Sequence, residues 1–298
     1  MQPFFLASQP ITEIIPFRRS CRTYQSRPIT AEQQLKMKTF LASNQVGVLG
    51  SALHTGVKAR FELVAATPED RRSLRGLGTY GTIKGVNAFI LGTVIRGEKD
   101  MEDYGYLLEK AILYATAIGL DTCWLGGFFT RSSFARKMGM QKDERMPAVA
   151  SIGYVLAKDG YDLAFRTRVG GDNRLAWQQL FFKDGFVQAL TPDEAGTAAK
   201  PLEMVRLGPS ASNKQPWRIV RQNGAWHFYL RRTPGYGKGL AEMFLAGNDL
   251  QRVDMGIAVC HWTLAAQEAG LQGEWATRDP GINLPDDLTE YSISWIPA

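Results

Sequence analysis

Three arginines and a serine stand within five consecutive residues near the start of the chain, in the sequence Arg18-Arg19-Ser20-Cys21-Arg22. No acidic residue lies between Ile14 and Ala31. Guanidinium and hydroxyl groups can hold a phosphate by charge-assisted hydrogen bonds, each worth about 1.5–3 kcal/mol. Because the positive charge is compact, this cluster predicts a site for one phosphate. The alternative is a solvated basic helix.

A second segment suited to ligand binding is GPSASNKQPW at residues 208–217. Its two prolines and its small residues predict a fixed loop that presents backbone and amide groups to a flat polar ligand. The alternative is an ordinary loop between a helix and a strand.

Several familiar kinds of catalytic site are excluded by context. The sequence GLGTYG at residues 76–81 matches G-x-G-x-x-G, but no strand directly precedes it and a strand follows it, so it does not fit a dinucleotide site. The chain has no Walker loop, no H-E-x-x-H and no G-x-S-x-G. Cys260 and His261 stand in an apolar helical pattern, which predicts a packed thiol and a core or interface histidine. A bound cofactor would therefore have to carry any chemistry.

The composition limits the class of protein. With 298 residues, 45% of them hydrophobic and 21% charged, the chain is too apolar for disorder and long enough for one large domain or two small ones. No apolar run reaches the ~20 residues of a membrane span. The three cysteines and three histidines show neither a disulfide framework nor metal-binding spacing. We therefore expect a reduced cytoplasmic protein that binds no membrane and no metal.

The net charge of +6 suits an anionic ligand. A nucleic-acid-binding protein is a rival interpretation that rests on the basic pI alone and predicts salt-dependent binding to DNA. Since nucleic-acid binders usually spread charge over a face with interleaved aromatics, the compact cluster favours a phosphate, and we expect no nucleic-acid partner.

The sequence contains an internal repeat with two fixed offsets. At an offset of 151, the recurring pairs are Asp103 and Asp254, Gly105 and Gly256, Leu113 and Leu264, Ala115 and Ala266, Gly119 and Gly270, Leu120 and Leu271, and Trp124 and Trp275. At an offset of 167, the recurring pairs are Leu35 and Leu202, Met37 and Met204, Phe61 and Phe228, and Leu63 and Leu230. The chain is therefore predicted to hold two diverged copies of one unit, the first of which has about sixteen more residues between the blocks.

Each copy is predicted to hold a helix, a pair of strands, a long helix and a further strand. Apolar residues between Tyr104 and Ile118 lie on one helical stripe, and Gly119 supplies the stop. Residues 183–200, rich in small and polar side chains, are predicted to be the linker. Strands interspersed with helices indicate an α+β fold in which helices cover the sheets.

Taken together, the motifs resemble those of the flavin-dependent nitroreductase superfamily. RRSCR and GPSASNKQPW resemble two of its signatures, and GLDTCWLGGF (119–128) and PAVASIGY (147–154) resemble later ones. Because the basic motif lies in the first copy and the loop motif in the second, the chain is similar to fused members in which one chain mimics a homodimer. The resemblance implies a nitroreductase-like fold with mostly antiparallel sheets and two repeats, 1–183 and 184–298, that form an internal pseudo-dimer with FMN between them.

The resemblance also implies roles for individual residues. Arg18 and Ser20, with Arg19 nearby, would hold the phosphate and ribityl chain, and Arg22 would face the N1–C2=O edge of the flavin. Residues implied to lie along the flavin ring or its edge are Gly126, Gly127 and Tyr80. Residues implied to come from the second copy are Pro209, Ser210, Ala211 and Asn213. Arg174 would add a phosphate contact, with Arg168 as a weaker candidate.

The implied function is hydride transfer by a ping-pong mechanism, in which NADH or NADPH reduces the flavin and a nitroaromatic, quinone or similar small-molecule acceptor reoxidises it. The alternative is a flavin-binding or sensory protein of the same fold without turnover. The start of the second copy has no arginine between Arg174 and Arg206, so it lacks a basic motif. In the first copy, the offset of 167 places Leu49 and Gly50 at the positions equivalent to Pro216 and Trp217, so the first copy lacks the loop motif. We therefore expect one FMN per chain and a chain that works as a monomer.

Overall fold

The structure is a computed structural model that describes residues 9–45, 58–65, 74–127, 129–156, 173–236, 245 and 247–298. The helices in these ranges are α1 (Ile11–Phe17), α2 (Ala31–Ser43), α3 (Asp100–Ala117), α4 (Arg131–Met138), α5 (Pro192–Ala195), α6 (Ala199–Arg206) and α7 (Leu250–Glu268). The strands are β1 (Ala59–Ala65), β2 (Ala88–Ile95), β3 (Asp121–Leu125), β4 (Glu144–Arg145), β5 (Val149–Gly153), β6 (Phe181–Lys183), β7 (Gln188–Ala189), β8 (Trp217–Gln222), β9 (Ala225–Arg231), β10 (Gly273–Ala276) and β11 (Thr289–Pro297).

Two sheets form the centre of the fold, and apolar residues of α2, α3, α6 and α7 share one core with them. The first sheet has the order β1-β2-β5-β3, with β4 paired to β2, and its pairings are antiparallel. The second sheet has the order β10-β11-β9-β8-β6-β7, and there only β6 and β8 run parallel. The predicted α+β fold with mostly antiparallel sheets covered by helices is confirmed.

The two sheets share one topology. In the first, β1 and β2 precede the long helix α3, and β3 and β5 follow it to give the order β1-β2-β5-β3. In the second, β8 and β9 precede α7, and β10 and β11 follow it to give the order β8-β9-β11-β10. Both orders place the last strand between the second and the third, so the duplication read from the sequence has a counterpart in the fold.

This topology corrects one part of the repeat alignment. The offset of 167 matched Phe61 and Leu63 of β1 with Phe228 and Leu230 of β9, whereas the strand order makes β8 the counterpart of β1. The connection between β1 and β2 is long, but β8 and β9 are joined by a tight turn at Asn223. The alignment failed because alternating apolar residues occur in every strand that faces a core, so two such positions do not identify a strand.

The same correction removes the basis for placing residues 49–50 at the loop position of the first copy. Those two residues lie outside the described ranges.

The long helices α3 and α7 cross at equivalent glycines. A β-carbon at Gly105 would collide with the backbone oxygen of Val253, and one at Gly256 would collide with the backbone oxygen of Glu102. These glycines are one of the pairs related by the offset of 151. The absence of a side chain at both positions lets the two backbones touch, which holds the halves together along the helix pair.

Residues 183–200 were predicted to be a linker, and that prediction is wrong. They include β7, α5 and the start of α6. The Thr191 hydroxyl accepts a hydrogen bond from the backbone N–H of Glu194, and the Glu194 carboxylate accepts one from the backbone N–H of Thr191. The small polar residues of this segment are therefore turns and a helix cap rather than a flexible connection.

The predicted boundary between the two repeats lies between residues 183 and 184, next to a strand of the second sheet. Strand β6 (Phe181–Lys183) pairs with β8 in the second sheet, and the domain boundary itself stays a prediction.

In the part of the chain that the structure describes, no helix is long and apolar enough to cross a membrane.

Candidate functional site

The basic motif lies between α1 and the edge of the first sheet. Arg18 caps the C-terminal end of α1 and is only 8% exposed, whereas Arg19 is exposed and Arg22 is half-buried. Ser20 forms a bridge with Thr122 of β3, and the Cys21 N–H donates to the Thr122 carbonyl at 2.9 Å. These backbone contacts hold the motif along β3, with Arg18 directed inward.

The segment continues across the sheet edge. The backbone N–H of Lys84 donates to the Arg22 carbonyl at 2.8 Å, and the N–H of Tyr24 donates back to the Lys84 carbonyl at 2.9 Å. Since the backbone of Arg22 is tied down on both sides, its side chain projects from a fixed position.

A buried carboxylate, that of Glu109 on α3, lies beside the basic motif. Its Oε1 atom lies 3.9 Å from Nε of Arg18 and 2.9 Å from Nε2 of His261, and its Oε2 atom accepts a hydrogen bond from Nε1 of Trp124 at 2.7 Å. Glu109 and His261 are both fully buried. A charge at such a depth is stable only with close partners of this kind.

Sequence reasoning missed Glu109 but placed His261 in the core or at an interface, as the structure does. The available signal was an acid inside the apolar stripe of α3, between Leu108 and Ala111. Its partners could not be read locally, because Trp124 and His261 lie 15 and 152 residues away along the chain.

The glycine pair follows β3, at the end of the strand that carries Trp124. Gly126 and Gly127 are half-buried. A β-carbon at Gly126 would lie 2.5 Å from Cδ1 of Leu250, the first residue of α7, and the Gly126 carbonyl accepts a hydrogen bond from Arg131 at 3.0 Å. The missing side chain at residue 126 therefore gives the Leu250 side chain of the second half room to pack against the backbone of the first.

The loop before β8 is backbone-strained. Ser212, Asn213 and Gln215 have φ values of 50°, 54° and 48°, in the left-handed region that non-glycine residues rarely adopt. Each such residue costs on the order of 1–3 kcal/mol, and such strain clusters at ligand-binding sites. Three of them within four positions predict a loop held in shape for a function.

Hydrogen bonds within the second half hold this shape. The Ser210 hydroxyl accepts from the Gln215 N–H at 2.8 Å, and the Ala211 N–H donates to the carboxylate of Asp254 on α7, at 3.0 and 3.1 Å to its two oxygens. Burial raises the pKa of Asp254 well above its usual range, and the hydrogen bond from Ala211 opposes that shift. The loop is thereby fixed to the helix that meets Gly126.

Arg174 lies against the loop. Its guanidinium donates to the Leu207 carbonyl at 3.1 Å and to Oδ1 of Asn213 at 3.3 Å. Arg174 therefore helps to shape the loop, and its contact with a phosphate, implied by the resemblance, stays a prediction.

Contacts between the two halves connect several of the segments that carry predicted site residues. Ala211 packs on the small apolar cluster that includes Leu250, the residue against which Gly126 lies. Arg18 connects through Glu109 to His261, and a β-carbon at Gly208, the first residue of the loop, would lie 3.7 Å from Nδ1 of His261. Segments from both halves therefore converge at the two long helices.

Other predicted residues lie apart or are not described. Tyr80 is 63% exposed, with a φ of 48°, in the connection between β1 and β2. Pro209 is half-buried. Arg168 lies outside the described residues. Within the described ranges, no group of three or more His, Cys, Asp or Glu side chains lies close enough together to hold a metal ion.

A surface cavity of about 410 Å³ lies elsewhere on the molecule, against the second sheet. Trp226, Trp295 and Arg221 help to line it, and none of the predicted site residues does. The chemistry-bearing groups therefore lie outside this cavity.

The chain resembles known proteins over most of its length. A family model described as "Putative TM nitroreductase" matches residues 10–266. A crystal structure of a "putative nitroreductase" from Thermotoga maritima is 19% identical in sequence, covers 97% of this chain and 94% of its own, and gives a TM-score of 0.58. This likeness shows that the two chains share a fold.

Smaller solved structures match about half of the chain. A nitroreductase family protein from Clostridium difficile is 18% identical, covers 53% of this chain and 91% of its own, and gives a TM-score of 0.39. A "putative nitroreductase" in complex with FMN from Exiguobacterium sibiricum is also 18% identical, covers 50% and 90%, and gives a TM-score of 0.39. None of the curated protein sequences matches the chain.

Proposed function

This chain belongs to the nitroreductase family whose model it matches, and on that premise we propose that it is an FMN-dependent oxidoreductase that uses NADH or NADPH. Two solved structures that match about half of the chain are described as a putative nitroreductase in complex with FMN and as an FMN- and NADPH-dependent nitroreductase. The single observation that supports the proposal most is the convergence of the basic motif and the strained loop, one from each half, on the same pair of helices.

The described residues fit a phosphorylated flat cofactor. Arg18 supplies a mostly buried cation, and Ser20 supplies a hydroxyl two residues further on. Cations and hydroxyls so placed hold a phosphate by charge-assisted hydrogen bonds. Gly126 and Gly127, directly after β3, have no side chains that would keep a flat ring away from the backbone. We propose that these residues hold the phosphate and one part of the ring.

The second half would hold the opposite part of the cofactor. The loop that contains Pro209, Ser210, Ala211 and Asn213 would face the cofactor in a conformation already fixed by Asp254 and Arg174. A preformed loop loses little conformational entropy on binding, and this favours affinity. We propose that Tyr80 lies near the ring edge.

When bound, FMN would supply the redox chemistry, taking hydride from NAD(P)H and passing it to an electron-poor acceptor such as a nitroaromatic or a quinone. The chain's own part is binding and electrostatics. We propose that Arg22, fixed through its backbone, faces the N1–C2=O edge, where its positive charge would stabilise negative charge that develops on reduction. We further propose that the protein works in the cytoplasm and binds no nucleic acid.

The first prediction tests this function directly. The purified protein is expected to bind FMN, to be bleached by NADH or NADPH without oxygen, and to recover its colour when a quinone or nitroaromatic is added. Absorption spectroscopy of the flavin and chromatography of the flavin released on denaturation measure both parts. A protein that stays colourless with added FMN at micromolar concentration would overturn the proposal. Bleaching without recovery would instead favour a flavin-binding or sensory protein without turnover.

A further inference from the structure

The contact between Glu109 and His261 joins the two halves of the chain inside the core. Nε2 of His261 lies 2.9 Å from Oε1 of Glu109, and Nδ1 of His261 lies 2.7 Å from the backbone oxygen of Met204, near the end of α6. Both side chains are fully buried.

The partners of the imidazole determine where its protons are. A backbone carbonyl only accepts hydrogen bonds, so Nδ1 of His261 carries a hydrogen and donates it to Met204. The 2.9 Å contact between Nε2 and Glu109 then holds one further proton, whichever of the two atoms carries it. This contact is shielded from water, and in such surroundings a hydrogen bond is electrostatically stronger than in water.

The same carboxylate is connected to three of the segments that we propose to bind FMN, directly or through one residue. Arg18, proposed to hold the phosphate, lies 3.9 Å from Oε1 of Glu109. Trp124, whose Nε1 donates to Oε2 at 2.7 Å, stands two residues before Gly126. His261 lies beside Gly208, where the loop begins. Glu109 therefore connects the two halves at one point.

The equivalent position in the other copy lacks this arrangement. The offset of 151 relates Glu109 to Cys260 and Lys110 to His261. Trp275, the counterpart of Trp124, donates its Nε1 hydrogen to the Thr263 hydroxyl at 3.1 Å instead of to a carboxylate. Of the two equivalent sides of the helix pair, the described residues place the glutamate and histidine only on the side that carries the basic motif.

We propose that Glu109 and His261 are positioning residues for the phosphate end of FMN, a role that deepens the proposed function and rests on it. Glu109 sets the guanidinium of Arg18, and His261 holds Glu109 in place from a position beside Gly208, where the loop begins. Neither side chain touches the reacting part of the cofactor. Their effect reaches FMN through Arg18, which in turn recognises the phosphate.

Riboflavin provides the second prediction, because it has the same ring as FMN but no phosphate. In Glu109→Gln, a variant of nearly equal shape, we expect FMN affinity to fall about tenfold, since a misplaced Arg18 loses a hydrogen bond to a charged group. Riboflavin affinity is expected to change little. Fluorescence titrations of both flavins, with Lys110→Gln as the matched control at the position equivalent to His261, give the ratio of the two affinities.

The ratio decides between positioning and a merely structural role. Affinity that falls equally for both flavins, or a ratio unchanged from the wild type, overturns the positioning role while leaving the proposed function intact. A wild-type chain that binds neither flavin overturns the proposed function itself. If Glu109→Gln does not fold, His261→Gln is titrated in the same way with the same deciding ratio, since it leaves the carboxylate but removes its imidazole partner.

Discussion

Single residues explain how two arginines in one motif can have separate tasks. Arg18 is directed into the protein towards Glu109, whereas Arg22 is half-buried on a segment that backbone hydrogen bonds fix to Lys84. A guanidinium near a phosphate contributes binding energy, but one near the flavin ring changes the relative stability of the oxidised and reduced forms.

The third prediction separates these tasks. Arg18→Ala is expected to weaken FMN binding about tenfold or more, because it removes charge-assisted hydrogen bonds to the phosphate. Arg22→Ala is expected to keep most of the affinity but to lower the reduction potential and to slow flavin reduction by NAD(P)H. Titration with FMN and a redox titration of each bound flavin measure the two effects. Equal loss of affinity in both variants with no change in potential would contradict the assigned roles.

Residue types and spacing predicted the motif and the loop, because short clusters of arginine, proline and amide side chains are visible in the sequence alone. The same reasoning missed Glu109. A single acid within an apolar helix gives no local indication of its partners, and Trp124 and His261 come close to it only when α3, β3 and α7 pack. Nor could it foresee that Arg174 contacts the loop.

At the scale of elements, the crossing of α3 and α7 is the central structural feature. The predicted helix 104–118 overlaps α3 and ends within one residue of it, since Gly119, with a φ of 79°, follows the helix. The strand alignment and the linker were wrong for a different reason. Short strands, caps and turns use the same residue types in many places, and only the paired sheet shows which strand is equivalent to which.

The fourth prediction concerns this crossing. Helix propensity alone predicts that Gly256→Ala stabilises the protein by about 0.5–1 kcal/mol. The contact with the Glu102 backbone predicts the opposite sign, a loss of about 1–3 kcal/mol through overpacking. Urea unfolding measures the free energy of unfolding. Gly270→Ala, at a φ of 74° with no atom within 4 Å of the new β-carbon, is the control for backbone strain alone. A stabilised Gly256→Ala variant would show that the helices can separate without cost.

At the scale of the whole molecule, the two halves have the same topology but different residues at the equivalent site positions. The basic motif, Trp124 with its carboxylate partner and Gly126 stand on one side of the helix pair. At the equivalent positions of the second copy stand Cys260 and Trp275, and the start of that copy has no arginine between Arg174 and Arg206. A homodimer, in contrast, has two identical interface sites.

The fifth prediction follows from this difference between the two copies. We expect one FMN per chain, bound between the copies, and a chain that stays monomeric because the interface of the pseudo-dimer is internal. Flavin absorbance against protein concentration gives the stoichiometry, and light scattering after size-exclusion chromatography gives the mass in solution. Two flavins per chain would mean that the second side is also complete. A dimer with one flavin per chain would agree with a site shared between the copies but would contradict the predicted monomeric state.

The crossing of α3 and α7 also has a consequence for how the protein can evolve. In a homodimer one coding sequence encodes both helices, so every substitution at the crossing occurs in both subunits and must be tolerated on both sides. Here α3 and α7 are encoded separately, and each substitution arises once. A glutamate could therefore be selected opposite a histidine at one end, while the mirror positions drifted to a lysine and a cysteine. Two separately encoded helices can therefore lose their symmetry and still keep their interface.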